Sequence, residues 1–199
     1  MPERPEIGVV ILAGGEATRL PGKLELAAGD VPMIVRVYRN VSPKRTTFIS
    51  CRGGFAPEVD ALLDCPMVVD RWERRGPLCG LLSTMLEMET ALVFAVAGDA
   101  PFVDGAFIER LAAAWRPGDE AVVPAHEVAG KMRLEPLAAL YDREAFVREG
   151  QEVLHGAGSL LAVLDRLAVR RYPVAGDDVK IFTNVNTPED YANAVAWMS

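Results

Sequence analysis

Residues 7–23 carry the side chains and backbone groups best suited to chemistry: Ile7-Gly8-Val9-Val10-Ile11-Leu12-Ala13-Gly14-Gly15-Glu16-Ala17-Thr18-Arg19-Leu20-Pro21-Gly22-Lys23. An apolar run leads into paired glycines, and two cations follow. Glycines let backbone N–H groups come close to phosphate oxygens. Arg19 offers a planar fork of donors and Lys23 a mobile point charge. Together they suit a triphosphate. The bland alternative is a glycine turn between a strand and a helix, which stays open on the loop alone. Two common phosphate loops are excluded by spacing. A Walker loop places glycine where this chain has Ala17, and Ser or Thr where it has Leu24. The dinucleotide G-x-G-x-x-G pattern also fails after Gly14-Gly15.

A second chemical position is Asp99. It follows the apolar run Ala91–Ala97 and precedes Ala100-Pro101-Phe102. A carboxylate at the end of a buried strand is unfavourable unless it is paired or metal-bound. Magnesium needs only one or two carboxylates, with water and substrate phosphates completing its shell. The alternative for Asp99 is a capping or turn aspartate. A third position is Thr183-Asn184-Val185-Asn186-Thr187-Pro188-Glu189-Asp190. Its two asparagines share one side of an extended stretch. Thr187 with Pro188 explains the start of the last helix, which leaves Asn184 and Asn186 for another role.

The elements that must position these residues alternate along the chain. Strands are expected at Ile7–Leu12, Thr46–Ser50, Met67–Asp70 and Ala91–Val96. Helices are expected from Pro32 to Tyr38, Pro57 to Leu63, Leu78 to Glu89 and Gly105 to Ala114. This β-α repetition predicts a mostly parallel sheet covered on both faces, a three-layer α/β/α Rossmann-like arrangement. Further strands are expected at Ala121–Ala125, Leu137–Tyr141 and Val169–Pro173. Helices are expected at Asp142–Arg148, Ser159–Leu167 and Pro188–Met198, and a loop at Gly150–Gly158. The 199 residues suit one core, so a single domain over 1–199 is expected. In such sheets ligands lie beyond the carboxyl ends of the strands. The loops holding Gly14–Lys23, Arg52, Asp70 with Gly76-Pro77-Leu78, and Asp99 should therefore converge.

Composition narrows the function classes. The formal net charge of −7 disfavours non-specific nucleic-acid binding. No apolar run reaches membrane-spanning length, and the polar start Met1-Pro2-Glu3-Arg4 is unlike a secretory signal, so a cytoplasmic location is expected. Cys51, Cys65 and Cys79 form no C-x-x-C pair; buried free thiols fit better than zinc. His126 and His155 are too scattered for a metal cluster and read as non-catalytic.

Five segments in order resemble the molybdenum cofactor guanylyltransferases, within the nucleotide-diphospho-sugar-transferase type of fold. Leu12-Ala13-Gly14-Gly15 with Arg19 and Lys23 is similar to the family's signature loop. Arg75-Gly76-Pro77-Leu78-Cys79-Gly80 is similar to its R-G-P-L-A-G turn, and Gly98-Asp99-Ala100-Pro101-Phe102 to its C-D-x-P-F segment. Glu135-Pro136-Leu137 with Ala139-Leu140-Tyr141, and Asn184 through Asp190, complete the series. The resemblance implies transfer of GMP from GTP to molybdopterin, with Mg2+ as cofactor and pyrophosphate as product. It implies nucleotide contacts at Leu12, Ala13, Gly14, Gly15, Lys23, Arg52, Asp70, Gly80 and Asp99. It further implies a metal on Asp99, charge stabilisation by Arg19 and Lys23, and acceptor contacts at Asn184 and Asn186. Molybdoenzyme assembly proteins are the implied macromolecular partners. Relatives using CTP usually carry Ala-Gly at the Gly14-Gly15 position, which favours guanine. The chain departs from the family in a loop one residue shorter between Arg19 and Lys23. It also carries Cys51-Arg52 where an asparagine often follows the second strand. Alternatives are a nucleotidyltransferase using CTP or another phosphate acceptor, and a non-catalytic nucleotide-binding assembly factor.

Overall fold

A computed structural model describes residues 5–14, 19–72, 76–156 and 158–198. In chain order the first half comprises β1 (Ile7–Leu12), β2 (Ala27–Ala28), β3 (Val31–Pro32), α1 (Met33–Val41), β4 (Thr47–Ser50), α2 (Pro57–Asp60), β5 (Met67–Val68), α3 (Pro77–Met85), β6 (Leu92–Ala97) and α4 (Gly105–Ala114). The second half comprises β7 (Ala121–Val128), β8 (Lys131–Leu134), β9 (Ala138–Asp142), α5 (Arg143–His155), α6 (Leu160–Leu164), β10 (Val169–Pro173), a 3-10 segment Gly176–Phe182 and α7 (Pro188–Met198).

The main sheet runs β10-β7-β9-β6-β1-β4-β5, with β8 pairing to β7. Strands β5, β4, β1 and β6 are mutually parallel, whereas β9 runs against both β6 and β7. The expected three-layer α/β/α class is therefore correct. One face buries Val9, Ile11, Phe94 and Val96 with Val37 of α1 and Phe107 of α4. The other buries Val10, Val93 and Ala95 with Leu81 and Met85 of α3 and Phe146 of α5. Both faces of β1 and β6 are covered, so both read as unbroken apolar runs rather than alternating ones. Each fully buried large side chain here contributes roughly 1.5–3 kcal/mol. At Gly8 an added Cβ would stand 2.4 Å from both Met88 Cε and Thr90 Oγ1, so only glycine fits at this point of β1.

Several expectations need correction. The segment Gly150–Gly158 is not a loop throughout, because α5 continues to His155. Gly150 lies inside that helix, and its bare Cα lets α5 approach α3: an added Cβ would be 3.3 Å from Leu82 Cδ1. Helix α2 stops at Asp60, short of Leu63, and β5 has two residues rather than four. Strand β8 and the small β2–β3 ladder are additional. Cys65 is half-exposed, not buried. No helix of the described residues is long and apolar enough to cross a membrane.

Candidate functional site

Strand order reverses beside β1: the chain moves outward through β4 and β5, then returns to place β6 on the other side of β1. This switch point is where a crevice opens in parallel sheets. The ends of β1 and β6 are in register, Leu12 facing Ala97, and Gly98 N donates to Leu12 O at 2.8 Å. The turn at Gly14 and the turn at Asp99 thus leave adjacent strands at one edge of the sheet. A cleft of 660 Å³ opens there, within the size that small-molecule sites take, roughly 300–1,000 Å³.

Lys23 and Asp99 meet in this cleft. The Lys23 ammonium donates to Asp99 Oδ2 and, at 2.9 Å, to Asn186 Oδ1. Their side chains are 14% and 13% exposed. The approach of Lys23 is built by turns: Lys23 N donates to Leu20 O and Glu25 N to Gly22 O, with Gly22 at φ 68°. That left-handed geometry favours glycine. The third partner arrives from the far end of the chain. Val185 N donates to Asp99 O at 2.9 Å, and Asp190 Oδ2 accepts from the amides of Asn186 and Thr187. Asp190 N in turn donates to Thr187 Oγ1, so Thr187 caps α7 as expected. Burial alone would raise the pKa of Asp190. Hydrogen bonds from the Thr187 hydroxyl and the two amides, with the Arg19 charge, outweigh that and hold it below the usual carboxylate range.

The opposite wall is formed by Asp70, Arg52, Ser50 and Gly80. Asp70 Oδ2 stands 3.4 Å from Arg52 Nη2, and Ser50 Oγ donates to Asp70 Oδ1 at 3.4 Å. Both contacts are long, so an incoming donor can replace them. Gly80 presents the turn of α3 closest to the sheet. A Cβ there would meet Ser50 Oγ at 2.5 Å, Leu12 Cδ2 at 2.8 Å and Asp70 Oδ1 at 3.3 Å. Gly80→Ala is therefore expected to push α3 from the strand ends and tilt Asp70. Stability should fall by about 1–3 kcal/mol through overpacking. Nucleotide affinity should fall about tenfold, a loss of ~1.4 kcal/mol. Thermal unfolding and a GTP titration check this; an unaltered affinity would remove Gly80 from the wall.

Of the residues singled out in the sequence, Leu12, Ala13, Gly14, Lys23, Arg52, Asp70, Gly80, Asp99 and Asn186 line the cleft. Gly15 and Arg75 lie outside the described residues. Arg19 does not line it; this residue is exposed and its charge acts on Asp190. Asn184 is half-buried and also outside the lining. The Ala13 amide, expected to face phosphate, is already donated to Ser50 O at 2.7 Å. It is held there because the chain still follows β4 for one residue beyond β1. The sequence reading missed Ser50, Leu137, Glu25 and Phe55 as lining residues. Ser50 carried a usable signal, being the last residue of the second strand. Burial raises the Cys51 thiol pKa and pushes that of Cys65 up to about 11, so neither is a thiolate nucleophile at neutral pH.

The donor set suits a hard cation of low ligand demand. Among the described residues no group of three or more His, Cys, Asp and Glu could hold a metal. Glu25 Oε1 is engaged by the Ala56 amide and Asp70 by Arg52. Asp99 Oδ2 and Asn186 Oδ1, by contrast, already converge on one cation, the Lys23 ammonium. One carboxylate and one neutral oxygen, with phosphates supplied by substrate, match what magnesium accepts.

The family model of the MobA-like NTP transferase domain matches residues 9–171. The chain belongs to this family. It is 31% identical to a molybdenum cofactor guanylyltransferase of Cereibacter sphaeroides, over 93% of each chain. It is 29% identical to a probable molybdenum cofactor guanylyltransferase of Natronomonas pharaonis, over 93% of this chain and 95% of that one. Among solved structures, molybdopterin-guanine dinucleotide biosynthesis protein A from Archaeoglobus fulgidus superposes with a TM-score of 0.79 at 27% identity, covering 96% and 97% of the two chains. The 2-C-methyl-D-erythritol 4-phosphate cytidylyltransferase of Thermus thermophilus shares the fold, with a TM-score of 0.76 at 15% identity, covering 97% of this chain and 98% of that one. This MobA-like chain thus carries the nucleotidyltransferase fold across nearly its whole length, with its cleft at the switch point.

Proposed function

We propose that this protein transfers GMP from GTP to the phosphate of molybdopterin, releasing pyrophosphate, as one nucleotidyltransferase domain spanning residues 1–199. The observation that carries the reading is the meeting of Lys23, Asp99 and Asn186 at the mouth of the β1–β6 crevice, in a chain of the MobA-like family. An oxygen of the molybdopterin phosphate attacks the α-phosphorus of GTP. The bond from that phosphorus to the bridging oxygen of the β-phosphate breaks, and pyrophosphate leaves with the electron pair. The attacking phosphate has a second pKa near ~6 and is largely ionised at neutral pH, so no protein base is required. Positioning and charge stabilisation remain for the protein to supply.

Lys23 has the reach for this. Its ammonium exchanges the Asp99 and Asn186 oxygens for the triphosphate and offsets charge gathering on the leaving pyrophosphate. The Gly14 amide, which has no partner among the described residues, faces the phosphates. Asp99 would hold the divalent cation, with Asn186 beside it. When bound, magnesium would neutralise the triphosphate and polarise the α-phosphate. Asp70 and Gly80 border the guanosine. A carboxylate accepts and never donates; guanine presents N1–H and N2–H2 side by side, whereas cytosine pairs one donor with an acceptor. Asp70 therefore supports GTP over CTP. Asn186 faces the acceptor, and Asn184, which stands outside the cleft lining, would reach an acceptor that extends beyond it. Cys51, Cys65 and Cys79, none of them in a disulfide, fit a reducing cytoplasm.

Pyrophosphate release from each of the four Mg–NTPs, with and without molybdopterin, tests the reading. Release from GTP that depends on molybdopterin is expected. Release from CTP instead would move the chain to the cytidylyl reaction, and GTP binding without turnover would make it a non-catalytic factor.

A further inference from the structure

The pairing of β7 with the strand that returns beside it changes register partway. Ala125 faces Leu134, while Val122 faces Leu140. Two residues of β7 separate Ala125 from Val122, but five separate Leu134 from Leu140. Three extra residues, Glu135-Pro136-Leu137, therefore bulge out of the ladder. Bulges of this kind re-aim side chains next to functional sites. This one sends Leu137 toward β6, where its carbonyl accepts from Ala97 N and its side chain lines the cleft.

The bulge is tied at every carbonyl: Glu135 O accepts from Ala138 N, Pro136 O from Tyr141 Oη at 2.8 Å, and Leu137 O from Ala97 N. Its charged side chain turns inward. Glu135 Oε1 receives Arg133 Nε at 2.8 Å and His126 Nε2 at 2.8 Å, with the Glu135 side chain 11% and His126 5% exposed. A carboxylate paired with arginine accepts only, so His126 donates from Nε2, and its buried Nδ1 has no hydrogen-bond partner among the described residues. The other side of the imidazole stacks on Phe182, with ring centroids 5.2 Å apart and planes at 27°. Phe182 ends the 3-10 segment that leads directly into Thr183–Asn186, and its ring packs edge-on against Phe107.

We propose that His126 is a positioning residue that clamps two walls of the cleft together, the Leu137 bulge through its Nε2–H and the Asn186 segment through its ring. The claim rests on the transfer reading above, in which the Asn186 wall faces the acceptor, and it adds the Leu137 bulge to that side of the cleft. His126 touches no substrate; it fixes where Leu137 and Asn186 stand, and misplacement of such groups by an ångström costs turnover steeply. A buried imidazole whose Nδ1 has no partner among the described residues is poor as a purely stabilising choice, because an apolar ring of that size would bring no unpaired polar atom of its own.

The test separates the two arms. His126→Phe keeps the stack on Phe182 and loses the tie to Glu135. His126→Gln keeps a donor near the Nε2 position and loses the stack. His126→Ala removes both. Amide hydrogen exchange should quicken by about tenfold over residues 135–141 in His126→Phe and over 179–187 in His126→Gln, with residues 8–14 unchanged in both. In His126→Ala the KM for molybdopterin should rise about tenfold while that for GTP stays within about twofold. Equal changes in both KM values, or exchange that rises across the whole chain or nowhere, overturns the clamp. Should His126→Ala fail to fold, the Phe and Gln variants carry the same comparison. If the wild-type protein releases no pyrophosphate from GTP and molybdopterin, the transfer reading fails, and the exchange pattern still decides whether the clamp exists.

Discussion

Asp99→Ala abolishes metal-dependent pyrophosphate release with the fold intact. This is the largest effect expected, on the order of 1,000-fold or more, because the carboxylate proposed to hold the cation is lost. The two halves of the statement have separate causes. Activity disappears because Asp99 is the carboxylate that converges with Asn186 Oδ1 on one cation, whereas Asp70 stands on the opposite wall beside Arg52 and Glu25 Oε1 accepts from the Ala56 amide. The fold persists because, among the described residues, the polar partner recorded for the Asp99 side chain is Lys23, which keeps Asn186 as its partner. The structural contact of this residue is made by its main chain: Asp99 O accepts from Val185 N, and no substitution removes it. Asp99→Asn sharpens the test, since the amide retains shape and an acceptor for Lys23 but not the charge. Pyrophosphate assays over a magnesium series, alongside thermal unfolding, give the answer. Turnover within threefold of wild type in either variant would rule out the metal role; a collapse of the unfolding transition in both would mean that the carboxylate is structural.

The sequence made the sheet's centre readable and its margins obscure. Strands β1 and β6 carry no polar side chain from end to end and each runs out into a glycine turn, and that pattern reports burial on both faces. Thr187 and Pro188 likewise announce α7 correctly. Gly150 misleads because helix propensity is local while the close approach of α5 to α3 is not; the missing Cβ is a packing device. Strand β8, Lys131-Met132-Arg133-Leu134, is exposed at three of its four positions and too short for its alternation to stand out, and the two-residue strands β2 and β3 are shorter still. At the site, the positions of Gly14, Lys23 and Asp99 follow from one rule about strand ends. The presence of Leu137 follows from a register shift that no linear pattern encodes. Arg19 shows the same limit: its type suits phosphate, but its place beside Asp190 is set by where α7 docks.

Lys23→Ala is expected to lower kcat by about 100-fold, the loss that follows removal of one contact made mainly in the transition state. The shortened loop does not weaken this expectation. Leu20-Pro21-Gly22 closes in tight turns, with Gly22 at positive φ, and these turns deliver the ammonium to Asp99 and Asn186 rather than away from them. Methionine is the informative second variant, since it keeps an unbranched stem of similar length and deletes the charge. Lys23→Arg should rescue poorly, because a planar fork cannot present its charge to both oxygens from the space that a compact ammonium fills. The structure also predicts a change of opposite sign. Lys23 occupies the point where the Asp99 and Asn186 oxygens converge, so the ammonium and a divalent cation compete for one carboxylate. Removing the ammonium should strengthen binding of magnesium to the nucleotide-free protein even as turnover falls. Steady-state pyrophosphate release gives the first quantity and calorimetric titration of magnesium the second. A loss of turnover below threefold would exclude Lys23 from the chemistry. A weaker magnesium affinity in Lys23→Met would mean that the lysine shapes the metal site instead of contesting it, and the convergence of the two oxygens would then need the ammonium to exist at all.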